Sequence, residues 1–113
     1  MGRVLFSITN LLLGSHIRIV LRATGFEVQS VPPSQVSLQI AKEVWDMVVV
    51  DLSDKEIGPP EAFPKPLPVL HSIGLITHRD MELKDEWEEY GFRCVFRSDF
   101  FQNPEQFLFP DVD

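Results

Sequence analysis

The chain of 113 residues is short of several things, and each shortage removes a class of function. It has one cysteine, Cys94, so no intrachain disulfide can form; that is consistent with a reducing compartment. No apolar run approaches the roughly 20 residues a membrane-spanning helix needs. Leu11-Leu12-Leu13 is cut short by Gly14, Ser15, His16 and Arg18, and does not read as part of a signal peptide. Met1 reads as a natural start, and the expected location is cytoplasmic. There is no glycine-rich phosphate loop, since Gly58-Pro59-Pro60 makes a turn rather than a cradle. His16, His71 and His78 have no metal-ligand spacing, so no metal site and no cofactor are expected. Ser7 and Ser98 have no base to activate them, which leaves a hydrolase triad without support.

Basic residues are also few. The net charge is −7, and it is unevenly divided. Residues 1–45 hold four basic and two acidic side chains, whereas residues 46–113 hold six basic and fifteen acidic ones. An acidic C-terminal half argues against a nucleic-acid partner, whose phosphates call for a basic surface. It admits a basic protein partner, or simply a solvated acidic face.

What is present is an alternation of strand and helix patterns in a single domain spanning 1–113. Val4-Leu5-Phe6 is a short apolar run suited to a buried strand. Leu13, Ile17, Val20, Leu21 and Thr24 share one helical face, and Gly25 stands where a helix C-terminal glycine belongs. Residues 26–31 alternate with period two, as a strand with one wet face does. After Pro32-Pro33, Ser34 is placed as the N-cap of a helix whose stripe is Val36, Ile40, Ala41 and Val44. Met47 to Val50 is the most continuous β-branched run and reads as the central strand, ending at Asp51. Five prolines between residues 52 and 68 leave room for at most a turn or two of helix there. Pro64-Lys65-Pro66-Leu67-Pro68 favours an extended, semi-rigid path, either a stiff connector or a segment a groove could recognise.

A fourth strand is expected over Ser72 to Thr77. A helix capped by Asp80 then runs to Tyr90, with Leu83, Trp87 and Tyr90 on its inner stripe. A fifth strand follows over Arg93 to Phe96. Asn103-Pro104 opens a last helix that Pro110 cuts short. Strands joined through helical crossovers imply a parallel sheet covered on both faces. Cys94, on a buried strand, acts as a small hydrophobe.

In this order and spacing the chain resembles the receiver domain of two-component response regulators over nearly its whole length. The resemblance is carried by Ala23-Thr24-Gly25-Phe26-Glu27-Val28, by Trp45-Asp46-Met47-Val48-Val49-Val50-Asp51, by Ile76-Thr77 and by Tyr90-Gly91-Phe92. It implies a three-layer flavodoxin-like α/β domain with a five-stranded parallel sheet in order 2-1-3-4-5. Here the third helix would be short or replaced by the proline-rich loop. The family takes a phosphoryl group from a histidine kinase onto an aspartate with bound magnesium, in signal transduction and phosphorelay. By that resemblance Asp51 falls on the acceptor position, Thr77 on the switch hydroxyl and Arg97 on the position of the family's lysine.

The departures matter more than the matches. The acidic pair after the first strand falls on Ile8 and Thr9, which have no carboxylate; Asn10 follows them and cannot replace their charge. Ser98 stands where a proline usually follows the lysine. Magnesium requires anionic oxygens, and one carboxylate in place of three removes most of its site. Asp54 and Glu56, in the loop, are the only nearby acids that could swing toward it. Asp51, Thr77 and Arg97 are therefore expected to form a vestigial site in a non-enzymatic pseudo-receiver that works through protein–protein contacts.

Two other readings stand beside it. One is an atypical receiver phosphorylated at Asp51. The other is a small flavodoxin-like ligand binder or enzyme with a pocket near Thr9, Asn10, Asp51 and Thr77. Phe96, Phe100, Phe101, Phe107 and Phe109 exceed what a short last helix can bury. Trp87, Tyr90, Phe100 and Phe107 are accordingly expected to line a partner-binding or homodimer face. It corresponds to the family's fourth helix, fifth strand and fifth helix, rimmed by acidic residues.

Overall fold

A computed structural model describes residues 2–109. Five parallel strands, β1 (Arg3–Ser7), β2 (Glu27–Ser30), β3 (Met47–Asp51), β4 (His71–Ile76) and β5 (Arg93–Phe96), form one sheet in the order β2-β1-β3-β4-β5. This is the expected α/β, flavodoxin-like arrangement. Every residue of β3 is buried, as a strand covered on both faces requires. Pro110, expected to limit the last helix, lies outside the described residues.

Helices cover both faces. The described residues hold five α-helices, α1 (Leu11–Ala23), α2 (Val36–Lys42), α3 (Lys84–Tyr90), α4 (Arg97–Gln102) and α5 (Pro104–Leu108), with 3-10 segments before α2 and α3 and between β3 and β4. On one face Leu13, Ile17 and Leu21 of α1, with Phe100 and Leu108, pack on Val4, Phe6, Met47, Val49, Ile73, Leu75 and Val95. On the other, Val36 and Ile40 of α2, Trp45, the loop residues Ile57, Phe63 and Leu67, and Trp87 pack on Leu5, Val48, Val50 and Ile76. Neighbouring strand residues alternate between these two cores, as the strand period demands. No helix among the described residues is long and apolar enough to cross a membrane.

The local signals act mostly as expected, with instructive exceptions. Asn10 caps α1, its Oδ1 accepting the Leu13 N–H at 3.0 Å. Gly25 takes φ +93°, a conformation that costs glycine little, and turns the chain from α1 into β2. Ser34 does not cap α2, because Pro33–Gln35 forms a 3-10 turn that leads into the helix without any side-chain cap. Ala41 and Val44 are exposed. The helix ends at Lys42 and Glu43 is extended, so the helical stripe stops and Trp45 takes the core position. The Trp45 indole N–H is satisfied by the Gln39 carbonyl at 2.9 Å.

The crossover from β3 to β4 holds no α-helix, only a 3-10 turn at Pro60–Ala62. The proline-rich stretch packs straight onto the sheet through Phe63 and Leu67. Leu52 lies against Gly74 of β4 so closely that a Cβ there would overlap its side chain. Asp80 does not cap the next helix. A 3-10 segment, His78–Leu83, precedes α3, and the Asp80 carboxylate accepts instead from the Thr77 hydroxyl at 3.3 Å. The helix α4, directly after β5, was not expected from the sequence.

Candidate functional site

The carboxyl ends of β3, β4 and β5 lie side by side, because Asp51 pairs with Leu75 and Leu75 with Val95. This register brings together the three expected site residues. Asp51 ends β3, Thr77 follows β4, and Arg97 follows β5 as the first residue of α4. The Asp51 side chain is only 5% exposed, and the Arg97 guanidinium closes over it. Arg97 Nη2 donates to Asp51 Oδ2 at 2.6 Å and Nε to Oδ1 at 3.2 Å, a two-pronged contact that engages both carboxylate oxygens. The Ser53 N–H also donates to Oδ1, at 3.0 Å. Burial raises the Asp51 carboxyl above its ordinary value of 3.8, and the hydrogen bond and charge of Arg97 offset part of that rise.

Thr77 is close by but engaged elsewhere. Its N–H donates to Ser53 Oγ at 2.9 Å, and its hydroxyl lies 3.3 Å from the Asp80 carboxylate and 3.5 Å from Ser53 Oγ. His78 stacks on Phe96, ring centres 4.1 Å apart and planes 18° from parallel. Ser53, Thr77, His78, Arg79, Asp80 and Arg97 line an open recess of about 420 Å3. Asp51 is not part of its wall.

A divalent ion does not fit these residues. Ile8 and Thr9, which follow β1 beside the end of β3, carry no carboxylate. Asp54 accepts from the Thr9 hydroxyl at 3.0 Å, and its charge adds to the rise of the Asp51 carboxyl instead of joining it on a cation. The remaining carboxylate, Asp51, already has both oxygens on a guanidinium. Among the described residues no three His, Cys, Asp or Glu side chains converge on a metal position. The pocket expected around Thr9, Asn10, Asp51 and Thr77 is divided as well. Thr9 and Asn10 line a separate crevice of about 110 Å3 with Leu11, Gly14, Arg18 and Pro33, and Thr77 lines the larger recess.

The partner face expected from Trp87, Tyr90, Phe100 and Phe107 requires correction. Trp87 and Phe100 are 1% and 0% exposed and belong to the two different cores, on opposite faces of the sheet. Trp87 packs edge-on to Phe63 and Phe92, at 5.1 and 5.6 Å between ring centres. Only Tyr90 and Phe107 are half-buried, beneath the cations of Lys65 and Arg93 respectively. Trp87 is covered by the proline-rich stretch through Phe63, and Phe100 is the buried residue of α4, a helix the sequence pattern did not reveal. Of the five clustered phenylalanines, Phe101 alone is exposed, at 51%.

Sequence reasoning missed Ser53 as the link between Asp51 and Thr77, and missed the Asp54–Thr9 bond. The Ser at the second position after a strand-terminal Asp is a turn signal that could have found the first. Comparison with family models, with curated proteins and with solved structures gives no match.

Proposed function

We propose that this chain is a pseudo-receiver, a signalling or regulatory module of the cytoplasm that acts by binding other proteins and does not carry out efficient phosphotransfer. The observation that supports this is the Asp51–Arg97 pair. Phosphoryl transfer to a carboxylate needs a free oxygen lone pair facing the phosphorus and a cation to neutralise the charge that gathers there. In this site the buried carboxylate gives both oxygens to Arg97, and Ile8 and Thr9 provide no ligand for a metal. Arginine is also a poor substitute for a lysine that must release one partner and take another, because its planar fork holds a carboxylate at two points.

Incubation with magnesium and a small phosphodonor, followed by intact-mass measurement, tests the proposal. The expected result is unmodified protein, identical to the Asp51→Asn variant. A stoichiometric phosphoryl adduct that the Asp51→Asn variant lacks would establish a working, atypical receiver instead.

A further inference from the structure

The outer surface of α1 is unusual for a helix on a soluble domain. Leu11, Leu12 and Ile19 are 82%, 79% and 67% exposed. At 100° per residue they fall with Ser15, Arg22 and Ala23 on the side opposite the buried Leu13, Ile17 and Leu21. Arg18 and Arg22, one turn apart, flank this apolar strip, and the helix has no acidic residue. Neither arginine has an ion-pair partner among the described residues.

The complementary surface is in the same chain. On the other face of the sheet, α3 and the 3-10 segment before it carry Glu82, Asp85, Glu88 and Glu89, all exposed; Glu88 pairs with Lys84 at 3.1 Å, and Glu89 pairs at 3.6 Å with Lys65, an exposed contact that a docking arginine can replace. Asp85 and Glu89 are four residues apart, the same one-turn spacing as Arg18 and Arg22. Met81, 55% exposed, precedes Asp85 by four residues. Setting Arg18 against Asp85 and Arg22 against Glu89 brings Met81 over the turn that carries Leu11, Leu12 and Ser15. One register thus satisfies both the charges and the apolar contact. Pairing α1 with a second α1 would instead set two basic flanks together, which is unfavourable.

We infer that the chain self-associates head to tail, with α1 of one copy docking on the acidic α3 surface of the next. The two surfaces lie on opposite faces of the sheet, so each added copy leaves one of each free and the assembly is open-ended rather than a closed dimer. The contact is small, centred on two helices, and its affinity is correspondingly weak. Net repulsion between copies of charge −7 is screened beyond about 8 Å at 0.15 M salt, while the helix contact lies inside that distance. This inference does not depend on whether Asp51 accepts phosphate.

Sedimentation velocity at about 0.15 M salt, where the screening length is near 8 Å, tests it with the wild type and two variants. One variant, Arg18→Gln with Arg22→Gln, disables the α1 surface; the other, Asp85→Asn with Glu89→Gln, disables the α3 surface. The wild type is expected to gain mass steadily with concentration up to the millimolar range. Each variant alone is expected to remain monomeric, and their equimolar mixture to form a heterodimer and nothing larger. Ile19→Asp replaces the double arginine variant if circular dichroism shows that one unfolded, with the same expected pairing. A wild type that stays monomeric, a variant that still self-associates, or a mixture that fails to pair would each overturn the inference.

Discussion

Replacing Arg97 with alanine leaves the Asp51 carboxylate buried with only the Ser53 N–H to compensate it. Breaking a fully buried ion pair by deleting one partner costs about 3–5 kcal/mol, whereas exposed pairs are worth about 0–1 kcal/mol. Asp51 is 5% exposed but Arg97 is 40% exposed, so water already screens one side of this pair. Between the two limits, Arg97→Ala is expected to destabilise the domain by about 2 kcal/mol near neutral pH. For a chain of this length that lowers the melting temperature by about 8 °C.

The pH dependence makes the prediction specific. The Asp51 carboxyl is already raised above 3.8 in the folded state by burial. The stability associated with its protonated form is complete below 3.8 and is lost as pH rises through the raised native value. Deleting Arg97 removes the attraction that opposes the rise, so the native value moves higher still. The penalty of Arg97→Ala should therefore be smallest at acid pH, where the carboxyl is neutral in both proteins. It should grow through the interval between the two native values and then level off. Urea unfolding of both proteins across that range measures it. Asp51→Asn should cost less than Arg97→Ala, since the remaining guanidinium is 40% exposed and can be hydrated, and the double variant should also cost less than Arg97→Ala, since no uncompensated buried carboxylate remains. A penalty that does not change with pH, or that is absent at neutrality, would refute the reasoning.

Other consequences of the structure are open to measurement. Trp87→Ala and Phe100→Ala each remove a side chain fully enclosed in a core and should cost about 3–5 kcal/mol, seen as a lower urea midpoint. Loss of self-association with stability intact would contradict that assignment. Gly74→Ala places a methyl group into Leu52 and should cost about 1–3 kcal/mol, with Leu52→Ala in the same chain recovering part of it. Cys94 is half-buried, and that burial pushes its thiol up to about 12, so an aromatic disulfide reagent at pH 8 should modify the folded chain more slowly than the urea-unfolded one. Equal rates for the two would contradict the raised thiol.

The sheet was legible because its evidence is local and redundant. Met47 to Val50 has no other stable environment than a strand covered on both faces, and Gly25 and Gly91 mark the helix ends at positive φ. The order of strands and helices left few alternatives for their arrangement. The departures come where tertiary contacts outweigh local preference. Val44 has the spacing of the α2 stripe, yet Trp45 buries more surface and hydrogen-bonds to Gln39, so the helix ends early. Asp80 has the chemistry of an N-cap, but Thr77 and the recess beside it draw its carboxylate elsewhere. The site was half legible. The positions of Asp51, Thr77 and Arg97 could be read from strand ends, but the direction of the Arg97 side chain depends on α4, whose residues show no clear helical stripe of their own.

The difference between a metal and a guanidinium bears on what this site can do. An ion held by three carboxylates exchanges with water and can give up a ligand position to an incoming oxygen. Arg97 is tethered to the start of α4, carries a single charge and directs its donors at both oxygens of one carboxylate. It links the end of β3 to the residue after β5, across β4, and so ties the sheet to α4 at the edge where the recess opens. In a receiver the acceptor must be free to change its bonding partners, and the signal is that change. Asp51 instead holds the end of β3 to the first residue of α4 through both of its carboxylate oxygens. On the proposed reading, any regulation must then reach the domain through its surfaces, and the basic α1 and acidic α3 faces are where its charge is separated most clearly.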